Sequence, residues 1–245
     1  MRVDILTLFP DTVGDVLSES ILGRAQERGF IRIETHQIRD YTANKQNQVD
    51  DYPYGGGRGA VMTADPLYRC WEAVCDQAGG PVHTIYLSPC GHTFKQADAI
   101  RLSKMENLIL VCGHYEGIDQ RVLDEIVDAE ISLGDFVMTG GEIPAMAVID
   151  TVARLIPGVL SNDGSFQNES HFQGLLEHPQ YTKPRVWHGM EVPEVLLSGN
   201  HELIDKWKHE QSLLTTLKKR PDMLENEWLT DEDIAFLNSR KEEKK

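Results

Sequence analysis

The chain has 245 residues, 40% apolar, 26% charged and 7% aromatic, with 24 Lys and Arg against 39 Asp and Glu for a formal charge of −15. Those proportions suit a globular protein of one large domain or two modest ones and exclude collagen-like, low-complexity and disulfide-scaffold classes. The acidic excess excludes a globally basic nucleic-acid coat and argues against anionic membrane surfaces, while leaving room for a local basic patch.

Residues 2–9 (RVDILTLF) predict a strand. Pro10 and Asp11 then open a helix whose apolar stripe is Val13, Val16, Leu17, Ile21 and Leu22, ending at Gly29. This opening is interrupted by Asp4 and closed by Pro10, so it lacks the long apolar core of a signal peptide. A strand over 30–38 carries Ile31, Ile33 and Ile38 as apolar positions. Residues 40–62 are polar and Gly-rich and read as loop, and 65–78 read as a helix. Three short apolar runs follow: VHTIYLS (82–88), LILVCG (108–113) and DAEISLGDFVM (128–138). The first two lack alternation, as strands do when both faces of a parallel sheet are buried. Helical stretches near 93–105, 116–127 and 142–155 separate or follow them. The alternation predicts an α/β fold with a mainly parallel sheet.

After Pro157-Gly158 the composition shifts. Residues 161–173 (SNDGSFQNESHFQ) are polar and aperiodic and read as a flexible linker or lid. Beyond Pro184 the signals are helical, with helices over 201–220 and near 230–240. Residues 1–160 carry 13 Lys and Arg against 23 Asp and Glu, net −10; residues 161–245 carry 11 against 16, net −5. The dense basic run Lys218-Lys219-Arg220 lies in the less acidic part. No stretch reaches the roughly 18 apolar residues of a membrane span. Cys70, Cys75, Cys90 and Cys112 form no CxxC pair, which argues against structural zinc and for reduced thiols in a cytoplasmic setting.

In an open α/β sheet, ligands bind beyond the carboxyl ends of the strands. Three segments stand there: Ser88-Pro89-Cys90-Gly91, Gly113-His114-Tyr115-Glu116-Gly117 and Thr139-Gly140-Gly141-Glu142. Each carries glycine, which lets backbone approach a ligand closely; the plainer reading of each alone is a chain turn. Together they would make a pocket rich in backbone donors and acceptors, suited to a flat heterocycle such as adenine. Tyr54-Gly55-Gly56-Gly57-Arg58-Gly59 is not a P-loop and does not directly follow a strand as a dinucleotide fingerprint would. Cys112 ends an apolar strand and reads as a small core residue rather than a nucleophile. Glu116 and Asp119 fit a helix start, and Arg154 a helix C-terminus.

Taken in order, YGGGRGAVM (54–62), YLSPCG (86–91), VCGHYEGIDQRV (111–122), ISLGDFVMTGGEIPA (131–145), DTVARLIPGVL (150–160), GLLEHPQYTKP (174–184) and VPEVLLSGNH (192–201) span nearly the whole chain. The sequence they form resembles the bacterial tRNA (guanine-N1)-methyltransferase family, TrmD, of the SPOUT superfamily. The resemblance implies an α/β SPOUT domain over 1–160 with a C-terminal trefoil knot, a flexible linker or lid over 161–173, and a small helical tRNA-binding domain over 174–245. It also implies a homodimer acting on tRNA, with no DNA or membrane partner. The reaction implied is methyl transfer from S-adenosylmethionine to N1 of the guanine immediately 3′ of the anticodon, tRNA position 37.

Carried over by motif, the cofactor site would comprise Tyr86, Leu87, Ser88, Pro89, Gly91, Gly113, Tyr115, Glu116, Gly117, Ser132, Leu133, Gly134, Phe136, Met138, Gly140, Gly141 and Pro144. Gly55, Gly56, Gly57, Arg58 and Gly59 would help shape the pocket for the target base, and Lys183 would bind substrate. Arg154, Glu169 and Glu116 would be catalytic, with Glu169 as general base and Arg154 stabilising charge on O6. Mg²⁺ is implied for methyl transfer, with Glu116 and Glu169 as oxygen ligands. Two departures stand out. Glu169 occupies the place of a more usual Asp, with His171 inserted before the aromatic, so Asp163 or another linker residue is an alternative base. Lys183 stands where Arg is frequent, keeping charge but losing bidentate phosphate contact.

Overall fold

The computed structural model describes residues 1–160, 166, 169–225 and 229–242, with side chains up to 240. Asp163 lies outside the described residues. The chain divides into two compact units, Met1–Asp163 and Gly164–Lys245.

The first unit is built on five parallel strands: β1 (Arg2–Thr7), β2 (Arg32–Gln37), β5 (His83–Thr93), β6 (Asn107–Cys112) and β7 (Ala129–Ser132). Their spatial order is β2-β1-β6-β5-β7. The parallel sheet expected from the apolar runs is therefore present. β6 is buried at every position, as a strand covered on both faces must be. Its alternate residues serve different faces. Ile109 and Val111 join Leu6 and Leu8 in a core with α3 (Ala64–Ala78) and α5 (Gln120–Ile126). The opposite face is covered by α6 (Glu142–Ala153), which packs against β1, β6, α1 (Pro10–Leu17) and α4 (Gln96–Leu102).

Several elements differ from the sequence-based expectation. The helix expected from Pro10 to Gly29 is two, α1 and α2 (Ser20–Glu27). Ser20 takes a left-handed φ of +54 and turns the chain, leaving Val16 and Ile21 exposed instead of on one buried stripe. The expected loop 40–62 contains an antiparallel pair, β3 (Asp50–Asp51) and β4 (Val61–Met62). The run 128–138 is a strand only to Ser132, where β7 ends. Ser88-Pro89-Cys90-Gly91 does not follow a strand. It bulges out of β5, because Leu87 and His92 both pair with Ile131. The helix expected over 116–127 begins only at Gln120. Asp119 caps it by accepting the Arg121 amide, and Glu116 lies outside it.

In the second unit, α7 (His201–Lys219) starts at Asn200, whose side chain accepts the Leu203 amide, and ends on Lys218 and Lys219 before Pro221. α8 (Asp231–Glu242) follows. Beyond Pro184 the structure is not only helical. A hairpin of β8 (Val186–Trp187) and β9 (Met190–Glu191) precedes the helices. Two-residue strands carry too little periodicity to register in sequence. Residues 169–177 fold back locally, with the His171 amide donating to the Leu175 carbonyl and the Glu177 amide to Ser170 Oγ. Among the described residues, no helix is long and apolar enough to cross a membrane.

Candidate active site

Beside the bulge in β5 and at the carboxyl ends of β6 and β7 lies a cleft of about 760 Å³. That size falls within the roughly 300–1,000 Å³ of small-molecule sites. Of the residues expected to hold the cofactor, Tyr86, Leu87, Ser88, Pro89, Gly113, Tyr115, Glu116, Gly117, Ser132, Leu133, Phe136, Met138, Gly140, Gly141 and Pro144 line it. Gly91 and Gly134 sit outside the lining. A Cβ on Gly91 would fall 2.4 Å from the Glu130 carbonyl carbon, so that glycine lets the bulge lie flat on β7. Gly134 has φ +157 and is pressed against the Phe136 ring.

Three contacts hold the lining segments in place. Ser88 Oγ accepts the Cys90 amide at 3.0 Å and closes the bulge on itself. Ser132 Oγ donates to the Gly134 carbonyl at 2.9 Å and accepts its amide at 3.2 Å, folding the chain sharply after β7. The Gly141 amide donates to the Gly113 carbonyl at 2.9 Å, joining the second and third segments. Tyr115 carries a left-handed φ of +60, a strained conformation for a side-chain-bearing residue, and its hydroxyl accepts from Arg39 Nη2 at 3.1 Å.

The Gly-rich stretch is tied to this edge. The Glu116 amide donates to the Ala60 carbonyl at 3.0 Å, and the Met62 amide to the Gly117 carbonyl at 2.9 Å. A Cβ on Gly59 would come within 2.4 Å of Glu116 Cγ. Gly59 thus allows the stretch to pack on the Glu116 side chain, while Arg58 points to solvent. Arg154 caps the end of α6, half-buried, with its amide donating to the Asp150 carbonyl; it does not line the cleft. Glu169 and Lys183 belong to the second unit. The Glu169 amide donates to the Phe166 carbonyl, and Lys183 is exposed.

Burial sets the titration of the lining. The Tyr86 hydroxyl is pushed up to about 12 by burial, with the negative charge of Glu130 adding to it. Cys112 is wholly buried, and burial followed by the charge of Glu142 pushes its thiol well above the usual range. A thiol so held is not a nucleophile, in agreement with its reading as a core residue. Cys90, His114 and Thr139, members of the three Gly-bearing segments, also line the cleft, as does Val137. The sequence reading missed Leu123, Asp124, Val127, Asp128, Ala129 and Glu130, which line it from α5 to β7 and lie outside every motif quoted for the resemblance, so no local signal marked them for the site. Among the described residues, the one close grouping of three potential metal-ligating side chains is Asp4, Glu34 and His36, where Arg2 already donates to both carboxylates.

The sequence model of the family described as tRNA (Guanine-1)-methyltransferase TrmD matches residues 1–226. Curated proteins named tRNA (guanine-N(1)-)-methyltransferase are similar over the full length. The one from Alkaliphilus oremlandii is 53% identical over 249 residues, covering 100% of each chain. That from Clostridium perfringens is 56% identical over 240 residues, covering 98% of this chain and 100% of the relative. That from Staphylococcus epidermidis is 49% identical over 245 residues, covering 100% and 99%. A family match over residues 1–226 and identity of 53% across the full length make the chain a member of the tRNA (guanine-1)-methyltransferase family.

Proposed function

We propose that the protein transfers a methyl group from S-adenosylmethionine to N1 of the guanine immediately 3′ of the tRNA anticodon, position 37. The observation that carries this reading is the convergence of the bulge 88–91, the segment 113–117 and the segment 132–141 on one cleft in a chain of this family. The residues fit the cofactor. Glycines 113, 140 and 141 leave backbone bare at the cleft, and a Cβ on Gly113 would lie 2.9 Å from the Tyr86 hydroxyl. Tyr86, Leu87, Ser88, Tyr115, Phe136 and Pro144 would hold the adenosine and methionine portions. When bound, S-adenosylmethionine supplies a methyl already activated on its sulfonium.

The chain's own groups then act on the guanine. N1 carries a proton and is a poor nucleophile until it leaves. The Glu169 carboxylate accepts that proton as general base. Negative charge develops on O6, and the Arg154 guanidinium stabilises it by a charge-assisted hydrogen bond. Glu116 and the Gly55–Gly59 stretch shape the pocket for the base, which must be splayed from its stack to enter. Lys183 contacts the tRNA backbone, a contribution that weakens with salt. Mg²⁺ belongs to this reading through the family resemblance. Glu116 is not part of any cluster of three ligating side chains among the described residues.

The reading extends to architecture: a knotted SPOUT domain over 1–160, a lid over 161–173 and a tRNA-binding domain over 174–245, working as a cytoplasmic homodimer. Phe9, Val16, Ile21, Val137 and Ile143 are large apolar side chains exposed on the first unit, which supports a second copy as their cover. The test is methyl transfer from labelled S-adenosylmethionine to an unmodified tRNA transcript and to the same transcript with adenine at position 37. Label in the guanine transcript alone is expected; label in both, or in neither, overturns the assignment.

A further inference from the structure

Glu142 opens α6 and is buried. Thr7, the last residue of β1, donates its hydroxyl to Glu142 Oε1 at 2.7 Å and accepts the Phe9 amide at 3.0 Å. One carboxylate oxygen is thereby fixed to the end of a core strand. The other lies against Gly140: a Cβ there would fall 2.3 Å from Glu142 Oε2 and 2.8 Å from His114 Nδ1. Gly140 does not adopt a left-handed φ, so it is glycine for room and not for backbone freedom. His114 Nδ1 is buried without a hydrogen-bond partner. Its ring stands against Phe9 and Tyr115, with centroids 5.1 Å away in each case, and these neighbours hold its orientation. A buried polar atom with no partner is uncommon and marks a place where a contact is missing.

We propose that Glu142 and His114 are positioning residues for methyl transfer, closing on each other across Gly140 when the cofactor fills the cleft. The inference rests on the proposed S-adenosylmethionine site. Glu142 offers an acceptor that Thr7 keeps from turning away. His114 in the tautomer protonated at Nδ1 offers the donor. Their contact ties the segment 113–117 to the start of α6, so that Tyr115 and Glu116 are presented to the ligands from a fixed base. Neither side chain needs to touch the reacting atoms. Gly140 is what makes the contact possible, since any Cβ would wedge the pair apart.

The test combines E142Q, H114N and the double variant, with cofactor affinity by calorimetry and with KM and kcat measured separately. Each single variant is expected to weaken S-adenosylmethionine binding and raise its KM about tenfold, the size of one missing buried hydrogen bond, with kcat at saturation little changed. The double variant should be no worse than either single one, because both remove the same contact. In cofactor-saturated wild type, nitrogen NMR should find His114 protonated at Nδ1. In E142Q the carboxylate acceptor is gone, and the ring should lose its preference for the Nδ1-protonated tautomer. Should E142Q fail to fold, T7V with H114N runs the same cycle. Additive losses, unchanged affinity, or an Nε2-protonated ring in the saturated wild type overturn the proposal. Wild type that binds no S-adenosylmethionine overturns the cofactor reading itself, and the inference with it.

Discussion

Gly141 and Gly113 meet through a hydrogen bond from the Gly141 amide to the Gly113 carbonyl at 2.9 Å, so close that a Cβ on Gly141 would lie 2.6 Å from Cys112 Cα. The obstacle is backbone of the fully buried strand β6, which cannot yield as a flexible side chain would. G141A must therefore push the segment 139–142 outward. It should lower stability by about 1–3 kcal/mol and abolish measurable cofactor binding while the protein stays folded. Calorimetry and thermal unfolding check this together; full affinity in G141A would show that the contact does not shape the cleft.

In the proposed reaction Arg154 and Glu169 serve the chemistry and not the cofactor cleft. R154A is expected to lose roughly 10²–10³-fold in turnover, as for removal of a transition-state charge partner. E169Q should lose roughly 10²–10⁴-fold by removing the base. S-adenosylmethionine affinity should hold within about twofold in both, well under one decade of binding energy. Single-turnover assays beside calorimetry separate the two effects. Unchanged turnover in E169Q would pass the base role to another residue, such as Asp163.

Three of the four cysteines should react in a fixed order. Cys90 is exposed on the bulge and lines the cleft. Cys70 and Cys112 are buried, and burial pushes both thiols up, with Asp40 adding to it at Cys70 and Glu142 at Cys112. Only the thiolate reacts, so Cys90 should be modified by a disulfide reagent in the native protein, whereas Cys70 and Cys112 wait for unfolding. Bound S-adenosylmethionine should slow the Cys90 reaction. Equal rates with and without cofactor would place Cys90 clear of the bound molecule.

Asp4 supplies an acid-sensitive part of the stability. Burial pushes its carboxyl up, but the bonds with His36 at 2.7 Å and from Arg2 at 2.7 and 2.9 Å, together with the Arg2 charge, outweigh burial and hold it below the ordinary 3.8. A carboxyl lowered on folding stabilises above its unfolded value, and the contribution is lost as pH falls through 3.8 towards the folded value. D4N should cost about 3 kcal/mol at neutral pH, because Arg2 loses its buried counter-charge. Urea titrations at pH 7 and near pH 3 should show the gap between wild type and D4N narrowing in acid. A gap of equal size at both values would remove the ion from the account.

The parallel strands and the motif segments were legible because their signals are local. LILVC is apolar at every position, which suits a strand covered on both faces, and β6 is one. The glycines of the segments 113–117 and 139–141 announced bare backbone, and both segments line the cleft, although only the first directly follows a strand. Cys112 was readable as core for the same local reason, at the end of an apolar run.

Other features depended on partners distant in sequence. The bulge at 88–91 exists because Leu87 and His92 share Ile131, a register that no property of β5 alone specifies. The split of the first helical region turns on Ser20, whose left-handed backbone leaves no mark in apolar spacing. Thr7 and Glu142 are 135 residues apart, yet they share a buried hydrogen bond. Sequence determined which segments become strands and where backbone is bare, since side-chain pattern and glycine act on their own neighbourhood. The tertiary structure decided which of those segments meet, because strand order and register place Gly140 between Glu142 and His114 and set the room left for a contact there.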